Sequence, residues 1–215
     1  MRSQKIKLAK DIPQLTKFIS SRIPEIIIDA CKEGKTILCE ISQGVHLSID
    51  SEFYPYCTSR PINVGQALAY LDVPPSLVGD VIGIARSYPI RVGNVPNGQS
   101  GDVFPDSKEI SWPQLAKHIN KPGLLELTTV TKRVRRVFTF SRIGIEKSIR
   151  RNNINILFLS FADYLLPNEK EVMKDYLISI NKTTPDNDGH VYGQLKQIYF
   201  VNGFGNFDEN IEKVR

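Results

Sequence analysis

The sequence predicts an α/β fold with a largely parallel sheet flanked by helices. Two short apolar runs, 154–159 and 198–201, have the length and composition of buried strands. Helix-like stretches lie between the predicted strands, and this alternation is typical of parallel sheets. With 215 residues, 41% of them hydrophobic, the chain is long enough to bury a core of its own. We therefore expect residues 1–215 to form one domain.

Proline and glycine residues mark where several predicted elements begin, bend or end. Pro24 should kink the first helical stretch or divide it into two helices, and Gly34 ends it. The β-branched and apolar run 35–41 (KTILCEI) predicts a short buried strand. The segment 94–108 predicts a loop, of a length that is usually functional or mobile. The same signals predict helices at 11–32, 63–71, 109–119 (entered through Ser111), 142–152 and 169–180, and a short helix that begins at Pro74 and Pro75. They also predict β structure within 80–92 and 126–141, and a turn-rich loop at 183–189.

Charge and cysteine content narrow the function classes. The net charge of +5 suggests an anionic ligand, although a basic surface without a specific function is the commoner explanation of such a charge. The three cysteines form no CxxC pair, and with the three histidines they show no zinc spacing, so we expect no metal site and a reducing, cytoplasmic location. The longest apolar run, 154–166, contains Ser160 and Asp163 and is too short to cross a bilayer. We expect neither a membrane partner nor direct binding to nucleic acid.

The segment 126–141 (ELTTVTKRVRRVFTFS) contains the densest cationic cluster in the chain. On an extended backbone Arg133 and Arg135 point to the same side, because side chains alternate along a strand. Two guanidinium groups beside threonine hydroxyls, such as that of Thr131, form a site for two carboxylates or for a carboxylate and a phosphate. A solvated basic edge strand produces the same pattern. The residues alone leave both interpretations open.

Polar residues follow all three predicted buried strands, and ligands of open α/β sheets bind at the carboxyl ends of strands. Amides and carboxylates there suit purine recognition, because a base edge needs paired donors and acceptors. Each residue alone is a weak signal, since polar residues end most strands. The residues concerned are Gln43, Asp163, Asn202 and Gly203.

Other polar residues have simpler interpretations. Thr58 and Arg91 stand in turn-rich surroundings, where a capping or turn role is the default. No carboxylate or nucleophile stands at a sequence spacing from His46 that would indicate catalysis. His46 is therefore more typical of a surface histidine, or of one hydrogen-bonded within the fold, than of a catalytic residue. The tripeptide 34–36 (GKT) is not a phosphate loop, because it lacks the upstream glycine and leads into a predicted strand. On the residues alone, the sequence predicts an α/β domain that binds an anion or a nucleotide.

Six segments, taken in chain order, resemble motifs of adenylosuccinate synthetase. The segment CEISQG (39–44), followed by Asp50, is similar to the family's EGAQG and LD-D, and FYPYCTSR (53–60) is similar to its TYP-VTS. The segment RVG (91–93) matches the family's RVG, and TVTKRVRR (129–136) is similar to its TTGRRRR. Finally, SFADYL (160–165) is similar to TKLDVL, and NGF (202–204) is similar to STGP. The resemblance covers about residues 15–207. Any one motif is weakly specific, and the ordered set is fairly specific.

The amino acids at the variable positions of these motifs most resemble those of the phage-type branch of the family. Members of that branch act on deoxyguanylate to begin making diaminopurine deoxynucleotides. Phe161 stands where the main branch has a lysine, while Asp163 keeps the family's aspartate. The resemblance therefore casts doubt on GTP as phosphate donor and is compatible with ATP, and a ring at position 161 would suit stacking on any purine.

The resemblance implies a ligase that joins aspartate to a purine nucleotide, either deoxyguanylate or inosinate, with Mg²⁺ and ATP or GTP. The family phosphorylates the purine six-oxygen, and the aspartate amine then displaces the phosphate. Carried over by position, the roles are acceptor-nucleotide binding for Gln43, Thr58, Arg91 and Val92, aspartate binding for Thr131, Arg133 and Arg135, and donor-nucleotide binding for Asp163, Asn202 and Gly203.

The sequence also departs from the family. The phosphate loop, its catalytic aspartate and the histidine that follows have no counterpart, and Lys132 replaces a glycine of the arginine loop. We therefore expect no catalytic residue and no metal ligand in this chain, and activity only with a complementary N-terminal subunit. A homodimer is the other expected assembly. The alternative function is a non-catalytic nucleotide- or carboxylate-binding module derived from this family.

Overall fold

The computed structural model describes residues 8–17, 20–94, 99–180, 194–203 and 210–215. The helices are α1 (Pro13–Thr16), α2 (Ile23–Lys32), α3 (Val64–Leu71), α4 (Trp112–His118), α5 (Arg142–Asn152) and α6 (Pro167–Ser179). The strands are β1 (Ile82–Arg86), β2 (Ile90–Arg91), β3 (Glu109–Ile110), β4 (Arg136–Phe138), β5 (Ile156–Ser160), β6 (Gln197–Val201) and β7 (Ile211–Lys213). Single 3-10 turns occupy Ala9–Asp11, Val45–Leu47, Pro75–Leu77 and Ala162–Tyr164.

The larger sheet has the strand order β1-β5-β6-β7. The pairs β1–β5 and β5–β6 are parallel, and only β7 runs antiparallel to its neighbour. Leu157 and Leu159 of β5 are fully buried between Ile149 of α5 and Leu177 of α6 in one apolar cluster. This cluster forms because apolar strands with helices on them remove the most hydrocarbon surface from water. The predicted α/β fold with a largely parallel sheet is confirmed.

A second, smaller sheet was not expected from the sequence. Its order is β2-β4-β3, all antiparallel, with Ile90 and Ile110 both facing Val137. The predicted β stretch 80–92 therefore divides between the two sheets. Strands of two residues carry too little alternation to be recognised as separate elements.

The predicted strand at 35–41 is wrong. The described structure shows no strand there, and Leu38 is 83% exposed. The residues have strand composition, but a strand forms only when a neighbour satisfies its backbone groups. The outer edge of β1 likewise pairs with none of the described strands, and Ile84 on it is 79% exposed.

The helix predictions hold better. The predicted stretch 11–32 contains two helices, but Pro24 is the second residue of α2 and does not form the break between them; α5 has the predicted bounds. Helix α4 is shorter than expected because residues 109–110 form β3, but Ser111 is its N-cap: the Ser111 hydroxyl accepts from the Gln114 N–H at 3.3 Å. The loop predicted at 183–189 lies outside the described residues. No helix in the described ranges is both long and apolar enough to cross a membrane.

Candidate functional site

Residues 127–136, here called the arginine hairpin, fold back on themselves ahead of β4. Leu127 pairs with Val134 across the hairpin, and the Thr128 N–H donates to the Arg133 carbonyl at 2.8 Å. The Thr128 hydroxyl accepts from the Arg133 N–H at 2.9 Å and lies 2.6 Å from the Thr131 hydroxyl. Lys132 has φ 53°, in the left-handed region that glycine adopts without strain.

The arginines of the hairpin separate into two kinds. Arg133 is exposed, and Arg135 is half-buried, with Nε donating to the Leu127 carbonyl at 3.3 Å. Arg136 points inward: its Nε and Nη2 bind both carboxylate oxygens of Glu109 at 2.9 and 2.6 Å. Its Nη1 donates to the Gly101 carbonyl at 2.5 Å. Arg136 therefore anchors the hairpin, while Arg133 keeps its guanidinium in solvent.

The segment 91–93 lies directly against the hairpin. A Cβ on Gly93 would lie 2.3 Å from the Val134 carbonyl oxygen and 3.3 Å from the Arg133 Cβ. Only glycine permits two backbones to approach so closely. The segment that contains the predicted acceptor residues Arg91 and Val92 therefore runs alongside the hairpin that contains the predicted aspartate-binding residues.

Arg91 holds the preceding loop in place. Its Nη2 donates to the carbonyls of Tyr56 and Ser100, both at 3.1 Å, and its guanidinium lies 4.6 Å from the centre of the Phe53 ring. Burial lowers the pKa of Arg91, and the positive charge of Arg136 lowers it further. Arg91 therefore carries its charge in a partly desolvated position, where it interacts strongly with an anion.

Of the other two predicted acceptor residues, Thr58 lies on the loop that Arg91 contacts at Tyr56, and Gln43 lies earlier in the chain, before the turn Val45–Leu47. Thr58 is half-buried, and its N–H donates to the Leu47 carbonyl at 2.7 Å. Gln43 is exposed with φ 71°, and its neighbour Ser42 accepts a hydrogen bond from Arg60. Since 35–41 is not a strand, Gln43 does not occupy the carboxyl end of a strand as predicted.

The carboxyl ends of β5 and β6 meet as expected. Asp163 follows β5, and its Oδ1 accepts from the Gly203 N–H beyond β6 at 2.8 Å. The neighbouring Asn202 N–H donates to the Asn210 carbonyl at 2.9 Å. Asp163 Oδ2 accepts from the Lys121 ammonium at 2.5 Å, so both carboxylate oxygens are bound. Sequence reasoning missed Lys121, which lies in the loop after α4 and follows no strand.

A third contact joins this edge to the hairpin. Arg86, the last residue of β1, forms an ion pair with Glu126, which precedes the hairpin. Its guanidinium lies 3.8 Å from the centre of the Phe161 ring. Arg86 therefore covers one face of the ring that was expected to stack on a purine. The strand-end argument that found Asp163 would also have found Arg86, had β1 been predicted to end there.

His46 has a structural environment, in agreement with the sequence interpretation. Its Nε2 lies 2.9 Å from the Ser148 hydroxyl, and its ring packs edge-on to Phe104 at 4.8 Å. Burial lowers the pKa of His46, outweighing the Glu52 carboxylate, which raises it. Across the described ranges, no three His, Cys, Asp or Glu side chains are grouped so that they could hold a metal ion.

The comparison with known protein families is decisive. A model of the adenylosuccinate synthetase family matches residues 3–214. The chain belongs to the adenylosuccinate synthetase family. The six resemblances noted in the sequence therefore reflect membership of this family.

The relatives include members of both branches. The chain is 44% identical over 138 residues to the N6-succino-2-amino-2'-deoxyadenylate synthase of Vibrio phage phiVC8, an alignment that covers 64% of this chain and 37% of the relative. It is 38% identical over 169 residues to the adenylosuccinate synthetase of Methanosphaera stadtmanae, covering 79% and 46%. The resemblance to the phage-type branch is confirmed. The chain spans less than half the length of these relatives.

The fold comparison agrees. The structure of cyanophage S-2L succinoaminodeoxyadenylate synthetase, bound to dGMP and to dATP as an energy donor, superposes with a TM-score of 0.75 at 29% identity. The match covers 96% of this chain and 54% of that protein. Adenylosuccinate synthetase from Plasmodium falciparum matches with a TM-score of 0.58 at 22% identity, which supports the fold.

Proposed function

We propose that this chain supplies the ligand-binding residues of a purine-nucleotide–aspartate ligase, with deoxyguanylate or inosinate as acceptor. The observation that carries the proposal is the close approach of two predicted ligand-binding segments, since Gly93 lies against Val134 and segment 91–93 therefore runs alongside the arginine hairpin. Acceptor and aspartate must meet for the ligation, and a preorganised site lowers the barrier by holding reactants together. The 44% identity to a phage synthase favours deoxyguanylate.

The aspartate would bind at the arginine hairpin. Arg133 and Arg135 carry guanidinium groups that can each form two parallel hydrogen bonds to a carboxylate. The Thr131 hydroxyl, 2.6 Å from that of Thr128, offers a further polar contact. Fixed positive charges would also stabilise the phosphate as the aspartate amine displaces it.

The acceptor nucleotide would lie against Thr58, Arg91 and Val92, with Gln43 reaching it from the exposed loop. The Arg91 guanidinium would carry the main electrostatic contact, because burial strengthens its attraction for an anion. The donor nucleotide would lie at Asp163, Asn202 and Gly203, beyond the ends of β5 and β6. ATP or GTP with Mg²⁺ is the donor implied by the family, and the ligands of that ion would come from outside the described residues.

The rest of the family's fold would pack against the exposed strand-like surfaces of residues 1–215. Two observations support this. The chain spans 54% of the S-2L synthetase structure that it matches, and β1 has an exposed apolar edge at Ile82 and Ile84. An exposed apolar edge strand is a template for pairing with another strand. The strand-like but exposed run 35–41 is a second such surface.

A non-catalytic binding module is the second candidate. Such a module would bind aspartate or nucleotide and convert neither, even with the complementary part of the fold added.

The aspartate site is tested by binding. Arg133→Ala and Arg135→Ala should each weaken the binding of aspartate by about 1.5–3 kcal/mol, the usual contribution of a hydrogen bond to a charged group. Isothermal titration would be carried out on this chain assembled with the N-terminal part of the phiVC8 synthase. Arg150→Ala, on the exposed side of α5, is the matched control and should bind aspartate like the parent. Unchanged affinity in both hairpin variants would show that the cluster is only a solvated edge.

A further inference from the structure

We infer that Lys121 determines the base specificity of the donor site. Its ammonium binds Asp163 and so prevents that carboxylate from selecting guanine. The inference rests on the proposed donor role of Asp163. It begins from one contact: the Lys121 ammonium lies 2.5 Å from Asp163 Oδ2, while the Gly203 N–H binds Oδ1 at 2.8 Å.

Lys121 is fixed in this position by the end of α4. Asn120 adopts φ 51°, and the Lys121 N–H donates to the Ala116 carbonyl at 2.9 Å, which is the six-to-one bond that closes many helices. The ammonium also lies 4.9 Å from the centre of the Tyr164 ring. The Lys121 side chain is 48% exposed and that of Asp163 only 26%, so the lysine approaches the carboxylate from the solvent side.

The chemistry of the bases gives this contact its consequence. Guanine presents two neighbouring donors, N1–H and the N2 amine, which a free carboxylate can accept together. Adenine presents a donor, the N6 amine, beside an acceptor, N1, so a free carboxylate matches only half of that edge. An ammonium beside the carboxylate provides a donor for adenine N1. The same ammonium neutralises the negative charge of the Asp163 carboxylate, to which the two guanine donors would otherwise bind.

Lys121 therefore reduces the preference for guanine without excluding nucleotide binding. Its effect differs from that of Phe161, which is aromatic and one face of which Arg86 already covers at 3.8 Å. A ring stacks on either purine with little discrimination. The base preference should consequently depend on the ion pair.

The test is the ratio of ATP to GTP affinity in the assembly with the N-terminal part of the phiVC8 synthase. Each nucleotide would be titrated in competition with a fluorescent ATP analogue. Lys121→Met removes the ammonium and keeps the length of the chain, and it should shift the ratio toward GTP by about tenfold, the low end for a hydrogen bond to a charged group. Lys121→Arg should restore the parent ratio. Lys117→Met, on the exposed face of α4, is the matched control and should leave it unchanged.

The outcomes separate this inference from the proposed function. If Asp163→Asn weakens nucleotide binding but Lys121→Met leaves the ratio unchanged, or weakens ATP and GTP equally, the inference is wrong and the donor site stands. If Asp163→Asn changes the affinity for neither nucleotide, the donor site is misplaced and the inference is overturned with it.

Discussion

Arg133 and Arg136 lie three positions apart in the arginine hairpin, yet the same substitution should affect the stability of the protein very differently. Arg136 is 8% exposed and donates to both oxygens of Glu109 and to the Gly101 carbonyl. Arg133 is exposed. We propose Arg→Met at each position, because methionine keeps the apolar stem and removes every donor.

The expected loss of stability depends on which buried groups the substitution leaves without a partner. Removing one partner of a buried ion pair costs about 3–5 kcal/mol of the free energy of unfolding. Because the Glu109 side chain is 44% exposed, water can replace part of the lost interaction, so about 3 kcal/mol is expected for Arg136→Met. An exposed side chain without such contacts should change the free energy by less than about 0.5 kcal/mol, and this is the expectation for Arg133→Met.

Urea unfolding of the chain, followed by circular dichroism, measures both values. Equal slopes of the unfolding free energy against urea would show that the two variants unfold from similarly compact states. A loss for Arg133→Met as large as that for Arg136→Met would refute the division of the cluster into an anchoring and a solvent-facing arginine. A negligible loss for Arg136→Met would refute it equally.

Three further predictions concern stability. Gly93→Ala should cost about 1–3 kcal/mol, because its Cβ would clash with the Val134 carbonyl at 2.3 Å, whereas Gly79→Ala, with open space around it, should not. Asp106→Ala should cost about 1–2 kcal/mol at neutral pH, because the Asp106 carboxylate accepts two N–H groups at the start of α5, at 2.7 and 3.1 Å. Lowering the pH below about 6.5 should destabilise the parent through His46, which has a lowered pKa in the folded protein and so binds a proton more readily when unfolded.

Each has its own check in the same unfolding assay. Equal stabilities of Gly93→Ala and Gly79→Ala would contradict the close approach of 91–93 to the hairpin. Burial raises the pKa of Asp106, but the bonds from Ser141 and from two backbone N–H groups together lower it, so the Asp106→Ala difference should shrink as pH falls below the ordinary carboxyl range. His46→Gln should remove part of the pH slope just below 6.5, and an unchanged slope would exclude His46 as its source.

Strands could be predicted best where the sequence is apolar throughout. The runs that form β5 and β6 have this composition, and the residues that follow them, Asp163 and Gly203, are joined by a hydrogen bond of 2.8 Å. The prediction failed for 35–41 because composition does not reveal whether a neighbouring strand is available. The exposed Leu38 shows the consequence.

The arginine cluster was only partly predictable. Alternation along a strand predicts only that Arg133 and Arg135 share a side. It could not identify Glu109 as the partner of Arg136, because that contact depends on the pairing of β3 with β4, which are separated in the sequence by α4 and the hairpin. Lys121 was missed for a similar reason: its contact with Asp163 spans 42 positions in the sequence.

The formation of product tests the central claim most directly. This chain, mixed with the N-terminal part of the phiVC8 synthase, would be incubated with dGMP, aspartate, ATP and Mg²⁺, and succinylated nucleotide measured by mass spectrometry. We expect product from the mixture and none from residues 1–215 alone, because the proposed ligand-binding residues and the phosphate loop are then supplied by different polypeptides. Turnover by the homogeneous chain alone would contradict the account. So would a mixture that binds all three ligands and forms no product, which would leave the chain a binding module.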